Sequence, residues 1–123
     1  MCNCCNIESA SPTEVRAYTT IRGDTFATSV RTRFDGVPEM LGEQGVVRLK
    51  IWNEDNTAIQ KSFFAEDQSE DGYVNIVLTP AETEELNGLY EYEVEFRFSS
   101  ELVVTALRGT LNVKTDHILP PTI

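Results

Sequence analysis

Every second residue from Tyr90 to Phe98 is large and apolar: Tyr90, Tyr92, Val94, Phe96 and Phe98. Between them stand Glu91, Glu93, Glu95 and Arg97. A period of two sends alternate side chains to opposite faces of a strand, so this segment predicts a strand with one buried and one wet face. A strand wet on one face belongs to an antiparallel sheet rather than to a parallel sheet covered by helices on both sides.

The same reading extends along most of the chain. Val15 to Ile21 is a first strand, broken by Arg22-Gly23-Asp24, and Phe26 to Phe34 is a second, ended by Asp35-Gly36-Val37-Pro38. Gly supplies positive φ there and Pro cannot donate to a ladder. A loop with Gly36, Gly42 and Gly45 follows. Val47, Leu49 and Ile51 then alternate with Arg48, Lys50 and Trp52, which puts Trp52 on the charged face of a third strand. Asn53 to Asn56 reads as a hairpin turn into a fourth strand, Thr57 to Phe64. The acidic stretch from Glu66 to Asp71 reads as a solvated loop, and Val74, Ile76 and Leu78 mark a fifth strand. Thr79 before Pro80, with acids in the next turn, is helix N-cap chemistry and predicts one helical turn ended by Asn87-Gly88. The strand at 89–98 is the sixth, and Leu102 to Leu107 with Gly109 to Val113 read as a last pair. Seven or eight short strands with almost no helix predict an all-β fold, a single two-sheet antiparallel β-sandwich over residues 13–116. Residues 1–12 read as a flexible arm and 117–123 as an extended tail.

Composition narrows the partners. The chain has 123 residues, enough for one domain with its own core and without help from metals or disulfides. Twenty acidic residues against ten basic ones give a net charge of −10. Such a field repels phosphate backbones and anionic lipid headgroups, so no nucleic-acid or membrane partner is expected. No apolar run approaches the ~18 residues that a spanning helix needs. The start, Met1-Cys2-Asn3-Cys4-Cys5-Asn6, has neither a basic nor an apolar stretch, which is not the pattern of a secretory signal.

Three segments carry a resemblance. Ile21-Arg22-Gly23-Asp24-Thr25 leads into a strand ending Asp35-Gly36-Val37-Pro38. Thr83-Glu84-Glu85-Leu86-Asn87-Gly88-Leu89-Tyr90-Glu91-Tyr92-Glu93-Val94 comes next, followed by Val104-Thr105-Ala106-Leu107-Arg108-Gly109-Thr110-Leu111-Asn112-Val113. Across roughly residues 18–115 this resembles the small immunoglobulin-like β-sandwich domains of tailed-bacteriophage virion proteins, the N-terminal domain of baseplate upper proteins among them. The resemblance implies an Ig-like fold and a role in assembly. The protein would be made in a host cytoplasm and carried in the virion, as an oligomeric tail, baseplate or fibre module among other virion proteins. Capsid decoration is the alternative position, and a carbohydrate- or receptor-binding module an alternative of another class.

Candidate chemistry is sparse. Cys2, Cys4 and Cys5 are the only cysteines, all within the arm. An odd number of them, two adjacent, suggests intermolecular disulfides to a neighbouring chain. Metal binding is a second reading, weakened because Cys-x-Cys-Cys lacks the usual ligand spacing and His117 is remote. An incidental reduced leader is the third. Arg22-Gly23-Asp24 reads as a turn rather than as an adhesion motif. The acidic runs at 66–71 and 82–85 fit no calcium-loop spacing and read as solvated turns. Glu91, Glu93 and Glu95 are either a tolerated outer face or a docking strip for a basic neighbour. Trp52 is the one candidate stacking platform for a sugar. No catalytic residues, metal ligands or cofactor motifs emerge, so the expectation is a protein that is not an enzyme and uses no cofactor.

Overall fold

A computed structural model describes residues 13–54 and 56–115. Nine strands and one short helix follow in order: β1 (Glu14–Ile21), β2 (Phe26–Val30), β3 (Arg33–Phe34), β4 (Val37–Pro38), β5 (Val46–Asn53), β6 (Asn56–Phe64), β7 (Val74–Leu78), α1 (Pro80–Glu84), β8 (Gly88–Arg97) and β9 (Val103–Lys114). A single 3-10 turn at Ala65–Asp67 separates β6 from β7. The fold is all-β and sandwich-like. A five-stranded sheet, ordered β1-β9-β8-β5-β6, packs one face against a two-stranded sheet, β2-β7, while β3 and β4 form a small separate hairpin.

Alternation decides what is buried. Tyr90, Tyr92, Val94 and Phe96 of β8 point inward, as do Val47, Leu49 and Ile51 of β5. They meet Val74, Ile76 and Leu78 of β7 and Val30 of β2 in one continuous core, with Leu86 and Leu111 also enclosed. Burial of this many apolar side chains is the main term holding the layers together, at roughly 1.5–3 kcal/mol for each large side chain. Thr79 caps α1 as its sequence predicts. Its hydroxyl accepts from the Glu82 amide (3.2 Å), and Glu82 Oε1 accepts from the Thr79 amide (2.8 Å). The buried Thr83 hydroxyl donates to the Asp24 carbonyl (2.8 Å) and accepts from the Gly23 amide (3.0 Å), which ties the 22–24 turn to α1.

Four expectations are corrected. The segment from Phe26 to Phe34 is two strands rather than one. Asp35 and Gly36 both have positive φ (51° and 83°), the geometry of a tight two-residue hairpin turn, and this folds β3 back on β4 away from the sheet containing β2. The expected last pair, 102–107 and 109–113, is one unbroken strand, β9. A bulge opposite Val94 and Glu95 inserts Ala106, so Ala106 and Leu107 are both buried and the alternation changes phase there. That change of phase looks like a strand boundary in the sequence. Among the described residues the strand count is accordingly nine, in sheets of five, two and two, rather than seven or eight.

The last correction concerns direction. Sheet pairing is not all antiparallel, because β1 runs parallel to β9, from Glu14 beside Leu107 to Ile21 beside Lys114. Periodicity reports which face a residue occupies but not which neighbour a strand takes. After Ile21 the chain crosses to the second layer instead of turning back beside β1, which frees β1 to lie along β9 in either direction. Gly109 makes the approach possible. A Cβ there would lie 1.9 Å from the Arg16 carbonyl oxygen, and the residue's φ is +153°. The same carbonyl accepts a hydrogen bond from the Tyr92 hydroxyl (2.9 Å), which reaches past Gly109 to hold β1.

Candidate functional site

The outer face of the five-stranded sheet carries the charges that alternate with the core residues. Trp52, Lys50 and Arg48 of β5 stand beside Glu91, Glu93 and Glu95 of β8, while Thr110 and Arg108 of β9 flank Glu91 and Glu93 on the other side. Arg97 pairs with Glu95 through its Nε. The glutamate stripe is therefore flanked by cations from its own chain: Arg48, Lys50, Arg97 and Arg108 against three carboxylates. The face holds about as much positive as negative charge, so the stripe is not the isolated anionic strip that its sequence suggests.

Trp52 is where its alternation puts it, half-exposed on this outer face. Its ring is 5.7 Å from Lys50 Nζ, and it borders a shallow groove of about 370 Å³ that also contacts Glu91, Arg108 and Thr110. An indole flanked by carboxylate, guanidinium and hydroxyl groups can stack on a sugar ring while polar neighbours bond its hydroxyls.

The Arg22-Gly23-Asp24 turn does not project as a free loop. Arg22 Nε donates to the Glu84 carbonyl (2.9 Å), and the Asp24 amide donates to the Ile21 carbonyl (3.0 Å). Both ends of the tripeptide are thus engaged with the body of the protein. Within the acidic stretch, Ala65–Asp67 forms the 3-10 turn, and Gln68 bonds Leu41, Glu39 and Gly72. Part of that loop is structural. Cys2, Cys4, Cys5 and His117 lie outside the described residues, as do the arm and the tail.

Sequence reasoning missed a second feature, at the edge where β1 lies over β2. The Tyr18 and Thr28 hydroxyls share a hydrogen bond of 2.9 Å across the layers. Beside it opens a crevice of about 430 Å³, bordered by Glu14 and Arg16 of β1, Ser29 of β2, and Arg31, Arg33 and Tyr73. Arg31 stacks over the Tyr73 ring at 4.3 Å and donates to the Asp71 carbonyl (3.0 Å). Arg16 pairs with Glu14 (2.8 Å). The Tyr18 hydroxyl first, and then the Glu14 charge, push the Arg16 guanidinium above its ordinary pKa. Three of the ten cations of an acidic chain meet here. The only sequence signal is Arg31-Thr32-Arg33 at the end of a strand pattern, and nothing in it announces Arg16.

At the opposite edge, Lys61 points inward from β6. Its Nζ donates to the Val77 carbonyl of β7 and to Glu82 Oε1, both at 2.8 Å, and sits 5.8 Å from the Phe63 ring. Burial pushes the Glu82 carboxyl up, but the Lys61 and Thr79 hydrogen bonds and the Lys61 charge outweigh it and hold the carboxyl below its usual range. Burial first, and then the nearby Tyr18, push the Tyr92 hydroxyl well above its ordinary value, which keeps it a neutral donor to Arg16.

Compared with known proteins, the chain matches no family model and no curated protein sequence.

Proposed function

We propose that the protein is a non-enzymatic structural module of a bacteriophage virion, an Ig-like domain that joins a tail, baseplate or fibre to a neighbouring subunit. One observation carries the reading: residues 21–25, 83–94 and 104–113 of the resemblance form one contiguous unit, while 35–38 lies in the separate β3–β4 hairpin. The 21–25 turn is bonded to Thr83 and Glu84, β8 pairs with β9 along its length, and β1 lies on β9 as the outermost strand. A chain that enters through an edge strand leaves the residues before it able to engage a neighbour without disturbing the core. In this reading Cys2, Cys4 and Cys5 form disulfides to that neighbour, and the exposed strand edges supply non-covalent contacts.

The test is gel electrophoresis of purified particles, alkylated on harvest, run with and without reductant. A high-mass band that collapses to the chain's own mass on reduction is expected, with the partner identified by mass spectrometry. A monomer band in both lanes removes the disulfide and favours a non-covalent position such as capsid decoration. Absence of the protein from purified particles would sink the virion reading altogether.

Trp52 favours a second reading, a carbohydrate-binding module. The indole is half-exposed on the sheet face between Lys50 and the Glu91–Arg108 groove. Glycan-array binding that disappears in Trp52→Ala would establish it. Equal signals from both proteins would discard it.

A further inference from the structure

The crevice between β1 and β2 has a composition at odds with the rest of the chain. The protein carries −10 overall, yet Arg16, Arg31 and Arg33 border one opening, where Glu14 pairs with Arg16. Guanidinium groups are forks of donors that match carboxylates in pairs. Arg31 is held by its stack on Tyr73 and its bond to Asp71, so its fork is oriented in advance. The opening also runs between two sheet edges. Among the described residues β1 pairs only with β9, and β2 only with β7. Unpaired strand edges are templates for an added extended segment.

We infer that this crevice binds an extended acidic peptide segment of a partner protein, whose carboxylates meet Arg16, Arg31 and Arg33 while its backbone lies along the β1 or β2 edge. The occupant is a partner rather than a second copy. The acidic run at residues 66–71 of this chain starts within the 3-10 turn and is bonded through Asp67 and Gln68, so it is not available as an extended strand. The inference stands on the crevice alone and does not require the virion reading.

The experiment uses the full chain at physiological salt and a fluorescein-labelled peptide alternating threonine with glutamate, followed by anisotropy. Three comparison probes accompany it: the same peptide with lysine for glutamate, one of equal charge with proline for threonine, and a single-stranded DNA of similar length. Saturable binding of the glutamate peptide alone is expected. Arg16→Glu and Arg33→Glu, both at exposed positions, should each weaken it about tenfold or more, as reversal of a charge facing a bound carboxylate does. Amide shifts on titration should map to β1 and β2. Lack of binding at millimolar peptide, equal binding of the lysine peptide, or shifts confined to the outer face would overturn the proposal. Equal binding of the proline peptide would remove strand addition, and equal binding of the DNA would replace the acidic peptide with a general polyanion. If an arginine variant unfolds, the comparison among the four probes on the unaltered chain still decides.

Discussion

On one side of the molecule β6 lies against β7, on the other β1 lies against β2, and the cations at the two edges behave differently. Lys61 leaves β6 pointing inward and ends on a β7 carbonyl and on Glu82, with 27% of its side chain exposed. Arg16 leaves β1 toward the corresponding gap, pairs with Glu14 and keeps 57% of its side chain in solvent. An inward charge on an edge strand is one way proteins prevent edge-to-edge association, and Lys61 both occupies that role and seals the layers. The β1 edge instead leaves room for a crevice between the layers. Within its sheet β1 is held by the ladder to β9, made possible at Gly109 and reinforced by the Tyr92 hydroxyl, and across the layers by the Tyr18–Thr28 hydroxyl pair. Between the layers one edge is a seam, and the other is an opening bridged by the Tyr18–Thr28 pair.

Breaking the open edge should produce the largest effect. Gly109→Val places a Cβ where the Arg16 carbonyl oxygen already sits and forces a β-branched residue into positive φ. The expected loss is about 3 kcal/mol or more, the range of severe backbone and packing faults. Hydrogen exchange should show the β1 amides losing protection before those of β5. Protection lost uniformly, or a variant as stable as the parent, would mean that β1 contributes little as a separate element.

Breaking the seam should cost less. Lys61→Met keeps most of the aliphatic stem over Phe63 and removes the two donated hydrogen bonds, for an expected loss of about 1.5 kcal/mol in denaturant midpoints. Thr79→Ala removes the N-cap of the turn that positions Glu82 and should cost about 1 kcal/mol. If the two losses add fully in the double variant, Lys61 and the Thr79 cap are independent; a shortfall measures the coupling between them that runs through Glu82.

The seam and the opening were unequally legible in the sequence. Strand faces, the Thr79 cap and the outward position of Trp52 follow from local rules, because a period of two and a capping pattern are written in adjacent residues. The β9 bulge was not legible, since an inserted Ala106 shifts the phase of alternation just as the end of a strand would. Neither was the parallel docking of β1, which depends on the missing side chain of Gly109 meeting a carbonyl 93 positions earlier in the chain. Lys61 read as one more polar residue in a strand, and its inward direction appears only once β5 fixes the register through Leu49. The arginine crevice is a product of that same tertiary arrangement. Arg16 comes from β1 and Arg31 from the connection between β2 and β3, and no spacing within the sequence relates them.

The smallest effect sharpens the comparison through pH. The Glu82 carboxyl is held below its ordinary value of 4.5, chiefly against the upward push of burial, by Lys61 and Thr79. A carboxyl whose folded value is depressed contributes stability that is fully present above its unfolded value and disappears as pH falls through the folded one. The seam should therefore weaken below about pH 4.5, whereas the Tyr92–Arg16 contact at the open edge, made by a neutral hydroxyl, should hold across the same window. Part of the Glu82 side chain is exposed (31%), so solvent screening limits the effect to the range of partly exposed ion pairs, roughly 0.2–1 kcal/mol. Urea midpoints measured from pH 6 to pH 3 should fall more steeply for the parent than for Glu82→Gln, with the difference confined to that interval. Parallel curves would show that the carboxylate adds nothing to the seam beyond its role in the cap, and that the two edges differ in geometry alone.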